Sequence, residues 1–304
     1  MSKVRSILDP PALSRVSRME LVARQVVEGF VSGRHPSPYH GSSVEYADHR
    51  PYTVGDEIRT VDWKLLAKTD KYYIKLYEEE TNLRATILLD ASKSMDFTGE
   101  PGGEKPRPTK ATYAAYLATA LAYLMLGQND AVGLALFDSA VRQFLPPRTT
   151  PSHFKRMVEA MESDVPRGDT GLGQVLHQMA GRIRRRGMVI LISDLIDDVA
   201  AIADGLAHFR HDRHEVIVFH VMDPAELSFP YEKLTRFKDA EGNGSIVANP
   251  RSIRQKYLER MSNYLNQIKG ACLERGIGYR FCTTDMPYER MLMEYLGQRA
   301  RMKG

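Results

Sequence analysis

Five oxygen-bearing side chains of the 304-residue sequence could together do chemistry: Asp90, Ser92 and Ser94 in LLDASKSM, Thr170 in GDTGLG, and Asp194 in LISDL. Two carboxylates and three hydroxyls, with no imidazole or thiolate, form the ligand set of a hard cation. Mg²⁺ or Mn²⁺ fits it, and Ca²⁺ is compatible. Two carboxylates are too few to enclose such an ion without water. Several waters and one exchangeable position are therefore expected, the latter open to an acidic group from a partner. Alternate residues of an extended turn point the same way, which is what Asp90, Ser92 and Ser94 need. Each residue also has a purely local job open to it. Asp and Ser after a strand cap a turn or the next helix, Thr170 suits an N-cap, and Asp194 suits a helix start. What favours chemistry is the placement of all three segments around strand exits.

The elements that must do the positioning begin after residue 83. Apolar runs at 85–89, 131–137, 188–193, 215–221 and 278–283 read as strands, with a short edge strand at 141–145. Helical spacing occupies 109–126, 152–163, 173–185, 197–210, 254–275 and 288–299. Continuous apolar strands alternating with helices predict an α/β fold, a doubly wound, mostly parallel sheet covered on both faces. In such sheets ligands bind beyond the carboxyl ends of the strands, where strand order switches. Residues 84–304 read as one domain of this Rossmann-like kind, with a hairpin insertion near 229–250 around EGNG. Residues 1–83 read as an N-terminal extension: a helix over 13–31, a Pro- and Gly-rich loop, then β-rich pieces around 72–77.

Composition narrows the function classes. The chain is 43% hydrophobic and 26% charged, with 42 Lys+Arg against 38 Asp+Glu. A net charge of +4 is too small to imply nucleic acid. The densest basic run, Arg182, Arg184, Arg185 and Arg186, reads as solvated cations at a helix C-terminus, where the dipole favours them. No apolar stretch reaches the roughly 20 residues of a transmembrane segment, and the opening MSKVRSILDPPALS has no apolar signal core. Two cysteines cannot frame a secreted scaffold, so a reduced, cytoplasmic setting is expected. GDTGLG does not follow a strand, so it is no dinucleotide fingerprint, and no G-x-S-x-G elbow occurs.

Two further clusters have competing readings. His208, His211 and His214 could place two ligands on one helix face for zinc. The helix should end there, however, which makes them solvated cations instead. Arg50, Asp56, Arg59, Asp62 and Lys64 surround Trp63, the only tryptophan. They form either a salt-bridged turn around a buried indole or a recognition surface with an aromatic anchor and charged rim.

The motifs ILLDASKSM, GDTGLG and LISDL resemble the metal-ion-dependent adhesion site (MIDAS) of von Willebrand factor A domains. The segment GSSVEYADHRPYTVGDEIRTVDWKLLAKTDKYYIKLYEEET is similar to the hallmark of domain-of-unknown-function family 58, as are DPAELSFPYE and TTDMPYERMLMEYLGQR. The resemblance runs from about residue 8 to 299, and its most specific part is the 52–64 block joined to the Asp90 motif. It implies a von Willebrand factor A-like fold with a metal held at Asp90, Ser92, Ser94, Thr170 and Asp194. It also implies a non-enzymatic, metal-dependent interaction role beside a MoxR-type AAA+ ATPase in maturing or remodelling client proteins. Many members of that family carry transmembrane helices, and none is expected here.

A rival reading is a magnesium-dependent phosphohydrolase of haloacid dehalogenase type. Asp90 would be the nucleophile and Asp194, Asp197 and Asp198 the later acids. Ser92 then stands where a second aspartate should act as general acid, and a serine cannot protonate a leaving group at neutral pH.

Overall fold

Backbone pairing follows the apolar runs of the sequence. The structure, a computed structural model, describes residues 19, 23, 26, 27, 48–52, 61, 63–69, 71–76, 83–99, 107–239 and 244–303. The chain divides into two compact units, one of Arg34–Asn82 and one of Met1–Gly33 with Leu83–Gly304.

In the smaller unit β1 (Asp48–Pro51) pairs antiparallel with β2 (Tyr73–Leu76), Asp48 opposite Leu76 and Pro51 opposite Tyr73. Between them in the chain lies the seven-residue helix α1 (Trp63–Thr69). Beyond the ladder the Tyr52 N–H donates to the Tyr72 carbonyl at 3.0 Å.

The larger unit runs β3 (Arg84–Asp90), α2 (Lys110–Gly127), β4 (Ala131–Phe137), β5 (Val141–Arg148), α3 (Pro151–Ser163), α4 (Leu172–Arg182), β6 (Met188–Ser193) and α5 (Val199–His211). It continues with β7 (Glu215–Met222), α6 (Pro224–Ser228), the antiparallel pair β8 (Thr235–Lys238) and β9 (Ser245–Ala248), α7 (Pro250–Glu274), β10 (Gly278–Thr283) and α8 (Tyr288–Lys303). Six strands form one sheet in the order β10-β7-β6-β3-β4-β5. Every neighbouring pair is parallel except β4 with β5. The fold class read from the sequence holds: a mostly parallel α/β sheet, doubly wound.

Burial explains why these strands carry no alternation. Every residue of β4 (AVGLALF) and of β6 (MVILIS) is buried, because helices cover both faces. On one face α2 packs with α3 and α8, and on the other α4 packs with α5, and α5 with α7. The second layer closes over a core that includes Leu88, Phe137, Leu176, Phe209, Val218 and Ile268. Helices α4 and α5 approach closely because Gly205 offers no side chain; a Cβ there would lie 2.6 Å from that of Leu176. In the N-terminal segment Met19, Ala23 and Val27 are helical and buried, four residues apart, as one stripe of a helix requires.

Strand order fixes where a site can form. From β3 the chain crosses to β4 on one side, and from β6 it crosses to β7 on the other. The switch therefore lies between the carboxyl ends of β3 and β6, where parallel α/β sheets open a crevice.

Candidate functional site at the sheet rim

Asp90 is the last residue of β3 and Asp194 follows the last residue of β6, so the switch point brings these two carboxylates to neighbouring strand ends. Their immediate surroundings are hydrogen-bond donors. The Ser92 N–H donates to Asp90 Oδ1 at 2.9 Å, and the Ser193 hydroxyl donates to Asp90 Oδ2 at 2.5 Å. Ser193 Oγ accepts in turn from the Leu195 N–H at 2.9 Å, and Asp194 Oδ1 accepts from the Ile196 N–H at 3.3 Å. The hydroxyls of Ser92 and Ser94 lie 3.1 Å apart. Asp90, Ser92, Ser94 and Asp194 are all buried.

Thr170 belongs to a loop that is bonded to the same turn. The Lys93 N–H donates to the Gly168 carbonyl at 3.1 Å, and the Arg167 N–H donates to the Ala91 carbonyl at 3.0 Å. Gly168 makes this approach possible. Its φ is +75°, and a Cβ there would meet Asp138 Oδ2 at 2.9 Å. Thr170 itself is half-buried.

Electrostatics set Asp90 apart from an ordinary surface acid. Burial, together with the charge on Asp194, pushes the Asp90 carboxyl up to about 7. One cation already stands at the site. Lys110, the first residue of α2, is fully buried and places Nζ 2.8 Å from Asp194 Oδ2 and 2.7 Å from Glu226 Oε1. Burial works against the ammonium, but Asp194 and Glu226 outweigh it and hold Lys110 above its usual range. Burial pushes the Glu226 carboxyl up, with Lys110 opposing. Glu226 Oε2 accepts from the Asp223 N–H at 2.8 Å, and Asp223 Oδ1 accepts from the Ala225 N–H at 2.8 Å, a reciprocal capping box for α6. The Thr284 hydroxyl donates to Asp223 Oδ2 at 3.1 Å. Lys110 thus ties β6 to the segment after β7. Sequence reasoning missed it, although DPAE does carry the capping-box signature.

The side chains gathered at these strand ends offer oxygen alone, the donor type a hard cation takes. The Asp90–Asp194 repulsion persists although Lys110 engages one oxygen of Asp194. A cleft of about 360 Å³ opens beside Asp90, lined by Asp96, Thr109, Tyr116, Met161 and Glu162 among others.

The loop after β6 is braced from α7. The Tyr264 hydroxyl hydrogen-bonds the Leu195 carbonyl, lies 3.0 Å from the Asp197 carbonyl, and accepts from the Asp197 N–H at 3.3 Å. It stabilises Leu195 in a left-handed conformation, φ 56°. Tyr264→Phe is expected to cost about 1–2 kcal/mol in urea unfolding. It should also speed amide exchange at residues 195–198 ahead of the rest of the sheet.

The other clusters resolve differently. On the last turn of α5 His208 is half-buried and His211 exposed, both reaching solvent as a helix end allows, and His208 lies 3.4 Å from His177. His214 is buried: Nδ1 accepts from the Gly187 N–H at 3.2 Å, so Nε2 carries the proton donated to the Ile183 carbonyl at 2.9 Å. It is a structural clasp, not a solvated cation. Among the described residues no three His, Cys, Asp or Glu side chains are grouped for a metal, so the zinc reading falls away. Trp63 opens α1 with its indole 58% exposed, so it is not the buried anchor of a salt-bridged turn. That short helix half-buries Leu65 and Leu66 instead. Arg50 lies on β1 opposite Ile74, and Lys64 follows Trp63 in α1. Asp56, Arg59 and Asp62 fall outside the described residues.

The family described as "Protein of unknown function DUF58" matches residues 48–265. The chain belongs to the DUF58 family. This DUF58 protein is 28% identical over 244 residues to the uncharacterized protein Rv1480 of Mycobacterium tuberculosis, covering 79% of this chain and 74% of the relative. The uncharacterized protein Mb1516 of Mycobacterium bovis matches to the same extent, 28% over 244 residues. Among solved structures it is similar to BatB from Bacteroides thetaiotaomicron, at 16% identity and a TM-score of 0.46, over 72% of this chain and 99% of that one. An aerotolerance-related membrane protein from Bacteroides fragilis gives 19%, 0.47, 71% and 99% in the same order. The VWA domain of SpRpn10 gives 13%, 0.39, 70% and 94%. Among the described residues of the DUF58 chain no helix is long and apolar enough to cross a membrane.

Proposed function

We propose that this chain is a metal-ion-dependent protein-interaction module, binding Mg²⁺ or Mn²⁺, with Ca²⁺ as a third candidate, through Asp90, Ser92, Ser94, Thr170 and Asp194. The observation that carries the reading is the pair of buried carboxylates at the switch point, with Asp90 pushed up to about 7 by burial and by Asp194. A bound divalent ion would neutralise that pair and offer one position to an acidic side chain of a client protein. The chain's own residues do the rest. Ser193 and the Ser92 N–H orient Asp90, Lys110 and the Ile196 N–H orient Asp194, and Gly168 lets the Thr170 loop approach. A MoxR-type AAA+ ATPase as the working partner is supported by the family resemblance of the sequence. A reducing, cytoplasmic setting is supported by Cys272 and Cys282, both free and buried.

Calorimetric titration of the purified chain with MgCl₂ or MnCl₂ tests the metal. We expect saturable 1:1 binding that Asp90→Ala abolishes, whereas unchanged affinity in the variant would refute the site. Co-purification tests the partner: a AAA+ ATPase of the same cell should accompany the wild type and be lost with Asp194→Ala. No specific observation favours the phosphohydrolase. Ser92, at the position its general acid would occupy, is buried and shares a hydrogen bond with Ser94.

A further inference from the structure

The two edges of the six-stranded sheet differ in character. β5 carries Pro146 and Pro147, and its register against β4 shifts twice, between Val132 and Leu134 and between Leu136 and Phe137. Prolines and bulges are the devices by which edge strands refuse further pairing. β10 has neither. Its residues Gly278 to Thr283 run in unbroken parallel register with Ile217 to Met222 of β7. Just past the strand, the Thr284 N–H donates to the Met222 carbonyl at 3.0 Å. Strand alternation then turns the N–H and C=O groups of Tyr279 and Phe281 to the open side. The Tyr279 carbonyl is met there by the Arg280 guanidinium at 2.8 Å, a side chain standing in for a strand.

A cavity of about 390 Å³ runs along this edge. It is lined by Tyr279, Arg280 and Phe281 of β10, between Leu265 and Lys269 of α7 and Arg290, Met291 and Glu294 of α8. Consecutive strand residues face opposite sides of a sheet. A cavity touching three in a row therefore sits on the edge itself, between the two helix layers, where a seventh strand would lie about 4.8 Å away. The charge there is net positive, with Lys269, Arg280 and Arg290 against Glu294. Glu294 is held by Arg280 at 3.0 Å, while Lys269 and Arg290 are exposed and form no ion pair among the described residues.

We infer that the β10 edge is a docking site for an extended, acidic segment of a partner protein, which adds to the sheet as a seventh strand. Its backbone pairs with Tyr279 and Phe281, its carboxylates reach Lys269 and Arg290, and the side chains between them lie against Leu265 and Met291. This is strand addition, in which the main chain supplies affinity and alternate side chains supply selectivity. The docking edge is independent of the metal site, because its residues belong to the far edge of the sheet.

The test uses the full chain and a fluorescein-labelled peptide, Glu-Val-Glu-Val-Glu-Val-Glu, read by fluorescence anisotropy. Saturable binding is expected. The double variant Lys269→Glu, Arg290→Glu, with an unchanged melting temperature because both sites are exposed, should weaken it by about tenfold or more. Methylating alternate peptide nitrogens, which removes the strand hydrogen bonds, should abolish it, and a Lys-Val peptide of equal length should not bind. The inference is overturned by no binding up to about 1 mM, by equal binding of the methylated or the lysine peptide, or by an unaffected double variant. It is equally overturned if sedimentation shows a homodimer that the double variant dissociates, since the edge then belongs to a second copy.

Discussion

Lys110→Met should destabilise the metal-free protein by about 3–5 kcal/mol, the cost of breaking a buried ion pair by removing one partner. The methionine keeps most of the side-chain volume, so the loss is chiefly electrostatic. Asp194 Oδ2 and Glu226 Oε1, now 2.8 and 2.7 Å from the ammonium, would face each other across an apolar gap. Asp90 adds a third carboxylate to the same region. Urea unfolding followed by circular dichroism measures the loss, and a deficit under about 1 kcal/mol would mean that water already screens the pair. The deficit has a pH signature. Buried carboxylates left without a cation titrate higher in the folded state, so folding then takes up protons and the variant recovers stability as pH falls. Adding Asp194→Asn and Glu226→Gln to Lys110→Met should restore much of the loss at neutral pH, because Asp90 is then the one carboxylate of the three left there.

The sequence hides this lysine for a physical reason. Helix N-termini disfavour cations, and Lys110 is the first residue of α2, just after its N-cap Thr109. Every local rule argues against a charge-bearing role there, and the partners that override those rules lie 84 and 116 residues away. Conflicts between local preference and tertiary structure are where functional or coupling residues tend to sit. The strands are legible for the opposite reason. In β3, β4, β6 and β7, burial on both faces leaves unbroken apolar runs, and the acids at their ends, Asp90 and Asp194, become conspicuous by contrast. Helix ends are less legible. The helix expected from residue 254 begins at Pro250, although Asn249 followed by proline is an N-cap with a preorganised first turn. The helix expected to reach residue 185 ends at Arg182, and Arg184 and Arg185 lie exposed beyond it. Trp63 reads as either anchor or surface because a lone aromatic among charges carries no periodicity, and its exposure is decided by the packing of a seven-residue helix.

Metal-free wild-type protein should lose stability as pH rises from about 4 to about 7, and Asp90→Asn should remove that loss. The sign follows from the direction of the shift. Asp90 sits near 7 in the folded chain, well above an ordinary aspartate, so across this window the folded state keeps a proton that the unfolded state has released. Folding is then progressively penalised as pH rises, by on the order of a few kcal/mol once both states are ionised. At pH 8 the asparagine variant, which still accepts from the Ser92 N–H and carries no charge to repel Asp194, should melt above the wild type in EDTA. Magnesium separates this from a merely structural carboxylate. A divalent ion takes the place of the proton, so excess MgCl₂ should raise the wild-type melting temperature strongly at pH 8. It should do so weakly at pH 5, where it must displace a bound proton, and hardly at all in Asp90→Asn. Thermal melts at four pH values, with EDTA or MgCl₂, read all of these at once. A pH-independent melting temperature in EDTA would place Asp90 among ordinary solvated carboxylates, and equal magnesium shifts in wild type and variant would move the ion elsewhere on the protein.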